Sequence, residues 1–312
     1  MVHRIHELFI FQGYSCAMEE FAFTEEHFGT SAVISIVCPT FEEAKQLATA
    51  GFLHMTVAEK IFSRFMPDSE LSRLNKAGTL VVSDIFIELL EAAISLTHAT
   101  GGAFNPLSQI TKLGYTDTFS NLADGLQTTD SSPYRTDIDA ITINKETNTV
   151  TLTNQQQLDF GGIAKGFLAE KIATNMKVAA PNCVGIIVNL GGDLYTLGHG
   201  ADGEPFIFFI YNPVTETELP LVVQDQALTT SGTYKRHWNT RSGPKHHIVD
   251  PNTRENPETK ITSSSTIHPR GAVAEAWAKY FLVNNIPTTI SPPEDLTYLL
   301  IYTEVTVKQN YL

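Results

Sequence analysis

The amino-acid sequence predicts an α+β protein whose strands and helices are interspersed. Runs of β-branched residues such as Ser31–Val37 have strand character, and other segments carry apolar residues at helical spacing. The order of these segments does not repeat the strand–helix–strand unit of a doubly wound sheet, which favours the α+β class. With 312 residues, the chain is long enough for one large domain or two intimately joined ones.

The first predicted elements are a strand and two helices. Ser31–Val37 is expected to end before Pro39, and Thr40 with Glu43 has the pattern of a helix capping box. Apolar residues at helical spacing extend this helix at Ala44, Leu47, Ala48, Met55, Ala58 and Phe62. A second helix is predicted after Ser83 and closes at a pair of glycines, which commonly end helices.

The remainder of the chain is predicted to be rich in strands. A polar, turn-rich segment from about 112 to 137 is expected to be a surface excursion, and a β-hairpin is expected around Lys145–Asn148. A helix over Ile163–Met176 is entered through Gly161 and Gly162. The other predicted elements are the strands Ile186–Leu190, Pro205–Tyr211, Pro220–Val223 and Tyr298–Thr303 and a last helix, Ala272–Val283.

The bulk composition argues against several classes of partner. A formal net charge of −13 leaves no excess of Lys and Arg to neutralise nucleic-acid phosphates, so no nucleic-acid partner is expected. No apolar run approaches the length of a transmembrane helix, so no membrane partner is expected. Cys16, Cys38 and Cys183 form neither a zinc motif nor a disulfide framework. Together with the lack of a convincing signal peptide or lipobox, they predict a cytoplasmic protein.

The segment Asp159–Gly166, with the sequence DFGGIAKG, indicates a site for a phosphate-bearing ligand. Gly161 and Gly162 allow a ligand to approach the backbone closely, and the start of the following helix favours negative charge. Lys165 adds a cation in the first turn. A tight structural turn with a solvated lysine also explains these residues, and the segment matches neither a Rossmann fingerprint nor a Walker A loop.

A series of further segments combines small, polar and turn residues between apolar flanks. In chain order, with DFGGIAKG included, they are FGTSAVISI from Phe28, SRFMPDSELSRLN from Ser63, GAFNP from Gly102, LDFGGIAKGF from Leu158, NLGGD from Asn189, TTSGTYKR from Thr229, HHIVDPNT from His246 and AVAEAWAKYFLV from Ala272. One such match is weak evidence, but the collinear set resembles the motifs of the ApbE family, the FAD:protein FMN transferases, also called thiamine-biosynthesis lipoproteins. The resemblance runs from about Phe28 to Val283.

This resemblance implies a fold and an activity. It implies an ApbE-like, two-lobed mixed α/β architecture with a flavin cleft between the lobes, formed by a single catalytic domain over 28–312 after an N-terminal leader over 1–27. It implies an enzyme that moves FMN from FAD to a threonine hydroxyl of a target flavoprotein and releases AMP, with Mg²⁺ bridging the FAD pyrophosphate. FAD and a flavoprotein with an acceptor threonine are the implied partners. Two alternatives stay open: a non-catalytic FAD-binding protein, and a pyrophosphatase that converts FAD to FMN and AMP.

The resemblance also assigns roles to individual residues. His247 is the implied proton-transfer residue, which suits a side chain that titrates near neutrality. The residues implied to bind the flavin nucleotide are Phe28, Phe65, Ala103, Phe104, Asn105, Asp159, Lys165 and Ile248. The positions implied for the metal are Gly162, Glu275, Ala278 and Lys279.

Departures from the family pattern concentrate at the metal positions. Glu275 stands where an aspartate is usual and Lys279 where a threonine ligand is usual, while Asn105 replaces an aspartate and Arg254 a glycine. A protonated lysine cannot ligate Mg²⁺ and repels it. Lys279 therefore either lies against the pyrophosphate in place of the ion or extends to solvent while Glu275 still binds Mg²⁺.

Overall fold

The computed structural model describes residues 17–117, 127–284, 290–304 and 307–310, and these form five α-helices and fifteen strands. The helices are α1 (Phe41–Phe62), α2 (Glu70–Ala77), α3 (Asp84–Ala99), α4 (Ala164–Ala179) and α5 (Gly271–Asn284). The strands are β1 (Glu19–His27), β2 (Thr30–Cys38), β3 (Thr79–Val81), β4 (Thr142–Asn144), β5 (Thr149–Thr151), β6 (Gly185–Leu190), β7 (Asp193–Gly198), β8 (Phe206–Asn212), β9 (Thr217–Val223), β10 (Ala227–Gly232), β11 (His237–Thr240), β12 (Gly243–His246), β13 (Ile261–His268), β14 (Thr297–Tyr302) and β15 (Val307–Gln309).

An eight-stranded antiparallel sheet, in the order β1-β2-β6-β7-β10-β13-β14-β15, organises the molecule. Ala32, Ile34 and Ile36 alternate along β2 and are completely buried, in one core with residues of α1 and α4. Because every neighbouring pair is antiparallel and the helices are not regular crossovers, the predicted α+β class is confirmed. Three smaller sheets, β3-β5-β4, β8-β9 and β11-β12, complete the strands.

The predicted strands and helices are present, with small shifts of their ends. Thr40 caps α1 as expected, because its Oγ1 accepts a hydrogen bond from the Glu43 N–H at 3.3 Å, a contact worth about 1 kcal/mol. The predicted hairpin forms between β4 and β5. No helix in the described part of the chain has the length and apolar character needed to cross a bilayer.

The boundary expected between a leader and the catalytic domain, at residue 28, falls inside a β-hairpin. Residues 1–16 lie outside the described part, but β1 pairs with β2 from Glu19 opposite Cys38 to His27 opposite Thr30. Phe21 packs against the core, whereas the other face of this edge strand is acidic and exposed. Residues 19–27 are therefore a strand of the main sheet, and only a short apolar alternation marks this strand in the sequence.

The segment expected as a surface excursion over 112–137 is also partly corrected. Residues 118–126 lie outside the described part, but Tyr115 and Tyr134 are buried, at 6% and 5% exposure. Leu113 accepts a hydrogen bond from the Trp238 indole at 2.6 Å, and Tyr115 packs against that indole. Aromatic residues widely spaced in a polar sequence gave no periodic signal of this burial.

The crossing of α4 and α5 requires two glycines. A Cβ at Gly166 would lie 2.4 Å from the Gly271 carbonyl oxygen, and one at Gly271 would lie 2.0 Å from the Gly166 oxygen. These contacts involve backbone, which cannot rotate away. The close approach brings the carboxylate of Glu275, on α5, within 2.8 Å of the Gly166 N–H on α4.

Replacing Gly166 by alanine is expected to lower the free energy of unfolding by about 1–3 kcal/mol, because the added methyl forces the two helices apart. Urea denaturation followed by circular dichroism measures the effect. Gly51→Ala is the matched control, since its Cβ would meet only the ends of flexible side chains, Ile34 Cδ1 at 2.6 Å and Met176 Sδ at 3.1 Å. Equal stability of Gly166→Ala and the wild type would contradict this account of the crossing.

Candidate active site

Two adjoining cavities form a cleft beside the N-terminal end of α4. The space between their lining residues, open solvent included, is about 710 Å³ in each. Both are lined by Arg64, Tyr115, Asp159, Gly161 and Arg236. We call the cavity that contains His247 the first cavity and the one that contains Phe28 the second cavity.

The cleft brings together site residues predicted from distant parts of the sequence. Asp159 lines both cavities. The second cavity is also lined by Phe28, Phe65 and Lys165. The first is also lined by Ala103, Phe104, Asn105, Gly162, His247, Ile248 and Lys279. Glu275 and Ala278 line neither cavity, because both are completely buried on α5 behind the cleft.

Phe28 reaches the second cavity from the turn between β1 and β2. Its φ is 54°, and that of Gly29 is 67°, so the turn uses the left-handed region at two successive residues. The Phe28 N–H donates a hydrogen bond to Glu59 Oε1 at 2.5 Å. His27 Nδ1 lies 3.0 Å from the other oxygen of the same carboxylate. A single side chain of α1, which sequence reasoning missed, thus holds the turn that presents Phe28.

The backbone just before the DFGGIAKG segment, here called the glycine segment, is held by Asn75, the last residue of the SRFMPDSELSRLN motif. Leu158 donates its N–H to Asn75 Oδ1 at 2.7 Å, and Asn75 Nδ2 donates to the Leu158 carbonyl at 2.8 Å. The residues before Gly161 do not form a strand. One side-chain amide satisfies the backbone that a neighbouring strand would otherwise pair. Asn75 therefore supports the glycine segment from α2, but it does not itself line the cleft.

Asp159, expected to contact the flavin nucleotide, has an ion pair with Arg64. Its Oδ1 also accepts the Gly161 N–H at 2.8 Å. The guanidinium of Arg64 lies 4.7 Å from the ring centre of Phe65 and 5.0 Å from that of Tyr115. Sequence reasoning missed Arg64 as a lining residue, although it lies inside a recognised motif.

Arg236 is a second cation that sequence reasoning missed. It ends the TTSGTYKR motif and lines both cavities. Its φ of 56° is uncommon for a residue with a side chain. A strained backbone at a cleft residue is a frequent feature of functional sites.

Glu275 is the centre of a buried charge cluster. Its Oε1 lies 3.5 Å from Lys165 Nζ and 3.3 Å from Lys279 Nζ, and its Oε2 accepts the Gly166 N–H at 2.8 Å. Burial by itself raises the pKa of this carboxyl, but the two lysines and the Gly166 N–H outweigh burial and lower it. Lys165 also pairs with Asp193. Glu275 is therefore charged at neutral pH.

The lysines respond in the opposite way to the same environment. Burial, the largest cause, lowers the pKa of Lys165 to about 8, against the attraction of Glu275. Burial also lowers the pKa of Lys279. The mutual repulsion of Lys165 and Lys279, with Arg236 nearby, adds to the effect on Lys165. A bound anion would therefore stabilise the charged form of both lysines.

The residues at the family's metal positions do not fit a Mg²⁺ site. Within the described residues, no group of three or more His, Cys, Asp and Glu side chains is arranged to hold a metal. Lys279 occupies the space beside Gly162, where a Cβ would lie 2.9 Å from Lys279 Cε. Ala278 has no donor atom in its side chain. A lysine about 4 Å from a divalent cation would repel it by roughly 8 kcal/mol at an effective dielectric constant near 20.

The position of Lys279 distinguishes the two alternatives that the sequence left open. Its side chain is 18% exposed and lies within 3.5 Å of Ser231 Oγ. It does not extend into solvent. The carboxylate of Glu275 is occupied by two ammonium groups and a backbone N–H, which leaves it unsuited to a metal.

His247 lines the first cavity. Its Nδ1 is buried and has no hydrogen-bond partner among the described residues. Burial, followed by the charges of Arg236 and Lys279, holds the pKa of His247 well below its usual range. The imidazole is therefore neutral at physiological pH, the state in which it can accept a proton.

Asn256 positions the segment that carries His247, a role that sequence reasoning missed. Its Nδ2 donates to the carbonyl oxygens of His246 at 2.7 Å and Ile248 at 2.6 Å, and its Oδ1 accepts the His246 N–H at 3.0 Å. The turn that follows ends at Arg254, whose φ is 63°. The left-handed backbone there explains why glycine suits this position of the family motif.

Folded-state stability is expected to fall as the pH drops from 7 to 5. The pKa of His246 is lowered to about 4 by burial, and then by His237 and Lys245. The unfolded chain therefore takes up this proton near pH 6.5 and the folded chain only near pH 4, so protonation between these values favours unfolding. His246→Gln is expected to remove about 2 kcal/mol of the loss at pH 5, measured by urea denaturation at both pH values.

A matched control is His54→Gln, which removes an exposed histidine of α1. This variant should retain the pH dependence of the wild type. An undiminished loss of stability at pH 5 in His246→Gln would contradict the expected role of burial.

Solved structures with the same fold include two proteins of very different origin. The ApbE protein of Thermotoga maritima matches with a TM-score of 0.80 and 20% identity, over 93% of this chain and 97% of that one. The apo flavinyl transferase ApbE of Pseudomonas stutzeri matches with a TM-score of 0.76 and 18% identity, over 94% and 95%. At these identities the likeness concerns the fold, and it confirms the predicted ApbE-like mixed architecture.

Relatives in sequence are named FAD:protein FMN transferase. The one from Treponema pallidum is 32% identical over 244 residues, which span 70% of this chain and 66% of that protein. The one from Klebsiella pneumoniae is 23% identical over 78% of this chain and 77% of that protein. The model of the ApbE family matches residues 28–291. The chain therefore belongs to the ApbE family.

Proposed function

We propose that this protein is an FAD:protein FMN transferase, which moves FMN from FAD to a threonine hydroxyl of a target flavoprotein and releases AMP. The observation that carries the proposal is the convergence of the motif residues, from Phe28 to Lys279, on one cleft. The relatives named above as FAD:protein FMN transferases support the same reaction.

The cleft has the two surfaces that FAD needs. Aromatic and aliphatic side chains from both cavities can cover an apolar flavin ring: Phe28, Phe65, Phe104, Tyr115 and Ile248. Arg64, Lys165, Arg236 and Lys279 supply cations, although the chain as a whole carries a formal charge of −13. This local concentration of positive charge is suited to a pyrophosphate.

His247 is the group that can receive the proton of the acceptor hydroxyl. In the proposed step, the threonine Oγ forms a bond to the FMN phosphorus, the bond from that phosphorus to the AMP phosphate oxygen breaks, and AMP leaves. The hydroxyl proton passes to the neutral imidazole. Positioning and charge stabilisation supply most of the remaining catalysis, as in phosphoryl transfer generally.

The reaction is tested with pure protein, FAD and an acceptor flavoprotein that the Klebsiella pneumoniae relative modifies. Chromatography should detect AMP, and mass spectrometry should detect FMN on a threonine of the acceptor. The Klebsiella protein serves as the positive control. Absence of AMP and of modified acceptor, while that control reacts, would remove the proposal.

The same assay without acceptor separates transfer from the two alternatives. Equal amounts of FMN and AMP would identify FAD pyrophosphate hydrolysis. Bound FAD without any product, in the presence of acceptor, would identify a non-catalytic flavin-binding protein.

We also propose that the catalytic domain includes β1, because β1 is an integral strand of the main sheet.

We further propose that the protein acts in the cytoplasm. Cys38 and Cys183 are buried free thiols, and the pKa of Cys183 is raised by burial and by the neighbouring Cys38 thiol. Thiols in contact persist where the surroundings are reducing. Recovery of the native protein from the periplasmic or membrane fraction would contradict this location.

A further inference from the structure

Lys165 and Lys279 lie on either side of Glu275 and serve the two cavities separately. Lys279 lines the first cavity beside Gly162, and Lys165 lines the second cavity. Both ammonium groups approach the same carboxylate oxygen, Glu275 Oε1, at 3.3 and 3.5 Å. The completely buried carboxylate thereby holds two cations next to the glycine segment.

Lys279 has donor capacity to spare. Its contacts with Ser231 Oγ, the Glu275 carbonyl oxygen and Glu275 Oε1 measure 3.5, 3.4 and 3.3 Å, all longer than the usual 2.9–3.0 Å of an N–H···O bond. An ammonium group has three donors and turns freely about its last bond. A phosphate oxygen in the first cavity can replace these long contacts by shorter, charge-assisted ones.

The acidic groups nearby are engaged in holding the lysines. Lys165 pairs with Asp193, whose other oxygen accepts the Thr230 N–H at 3.3 Å. Glu275 accepts from both lysines and from the Gly166 N–H. In this chain the two carboxylates therefore orient the two lysines, and their oxygens are not left free to bind a metal.

We infer that Lys279, with Lys165, binds the pyrophosphate of FAD in place of a divalent cation, so that FAD binding by this protein is independent of metal. The inference rests on the proposed function in taking FAD as the substrate. Lys279 stands at a sequence position that the family resemblance implies for the metal, and Gly162, which has no side chain, leaves room for the Cδ and Cε atoms of this lysine. The ammonium group of Lys279 is a compact positive charge that the chain itself supplies, in place of a bound metal ion.

The test is the affinity of the protein for FAD, followed by flavin fluorescence with EDTA and with millimolar Mg²⁺. The dissociation constant of the wild type should agree within about twofold between the two conditions. Lys279→Gln should raise it about tenfold to a hundredfold in EDTA, the loss expected for a hydrogen bond to a charged group. Lys145→Gln, which removes an exposed lysine paired with Glu91, should leave it unchanged.

Riboflavin, which has no phosphate, is the internal control for each variant. Lys279→Gln should bind riboflavin as the wild type does, because the side chain is assigned to the phosphates. Parallel losses for FAD and riboflavin would show that the substitution damages the cavity and would overturn the assignment. Circular dichroism establishes that each variant is folded.

Two further variants keep the inference testable if Lys279→Gln does not fold. Gly162→Ala retains every charge but pushes against Lys279 Cδ and Cε, at 3.2 and 2.9 Å from the added carbon. It should weaken FAD binding more than riboflavin binding. Lys279→Thr removes the cation and adds a hydroxyl, so its FAD affinity should become stronger with Mg²⁺ than with EDTA.

Loss of wild-type FAD affinity in EDTA would overturn the inference while leaving the transferase proposal intact. Metal-independent FAD binding without AMP release would remove the transferase proposal and leave the inference standing. A wild type that binds no FAD under either condition would overturn both.

Discussion

His247→Gln is expected to lower the rate constant of FMN transfer by about 10²–10⁴-fold, the usual contribution of a positioned general base. Glutamine approximates the size of histidine but cannot accept the hydroxyl proton at neutral pH. FAD affinity should change little, because proton transfer concerns the acceptor. Single-turnover AMP release with saturating FAD and acceptor measures the rate constant, and fluorescence measures FAD affinity.

His54→Gln, on the exposed face of α1, is the matched control and should react as the wild type does. The pH profile gives a second readout. Because the pKa of His247 is depressed, its base form persists below pH 6.5, and kcat/KM should decline only at more acidic pH. That acidic decline should disappear in His247→Gln. Equal rates for wild type and His247→Gln would exclude His247 as the base.

Glu275→Gln is expected to lower the free energy of unfolding by about 3–5 kcal/mol, the usual effect of removing one partner from a buried ion pair. The change leaves Lys165 and Lys279 close together without the carboxylate that both contact. Urea denaturation at pH 7 measures the loss. Glu88→Gln, which breaks an exposed ion pair with Lys171, should cost no more than about 1 kcal/mol.

Two measurements identify the cause of this loss. In Glu275→Gln it should shrink as the pH rises above 8, because lysines whose folded-state pKa is depressed lose their protons first in the folded protein. The double variant Glu275→Gln, Lys279→Gln should recover part of the stability, since one unpaired cation is removed with the anion. A loss independent of pH and unchanged in the double variant would indicate a packing defect.

Local sequence patterns were sufficient for the elements that follow a simple rule. The capping pair Thr40 and Glu43 marked the start of α1, and the turn residues Lys145–Asn148 marked the hairpin of β4 and β5. β13 gave no such pattern, because its Ser263–Thr266 stretch is polar in sequence yet buried. The hydroxyls of Ser265 and Thr266 pair across the sheet with those of Thr230 and Thr229, at 2.8 and 3.0 Å.

The sequence by itself determined the family, the α+β class and eleven of the residues that line the cleft, because these follow from ordered motifs and local periodicity. Only the tertiary structure showed that Asp159 pairs with Arg64 and that Arg236 lines both cavities. It also decided between the two roles that the sequence allowed for Lys279. That choice depends on whether a buried carboxylate from the same helix lies within reach of the ammonium group, at 3.3 Å here. The i,i+4 spacing of Glu275 and Lys279 is visible in the sequence, but the complete burial of Glu275 and the approach of Lys165 to 3.5 Å from its carboxylate arise from the packing of α4 against α5.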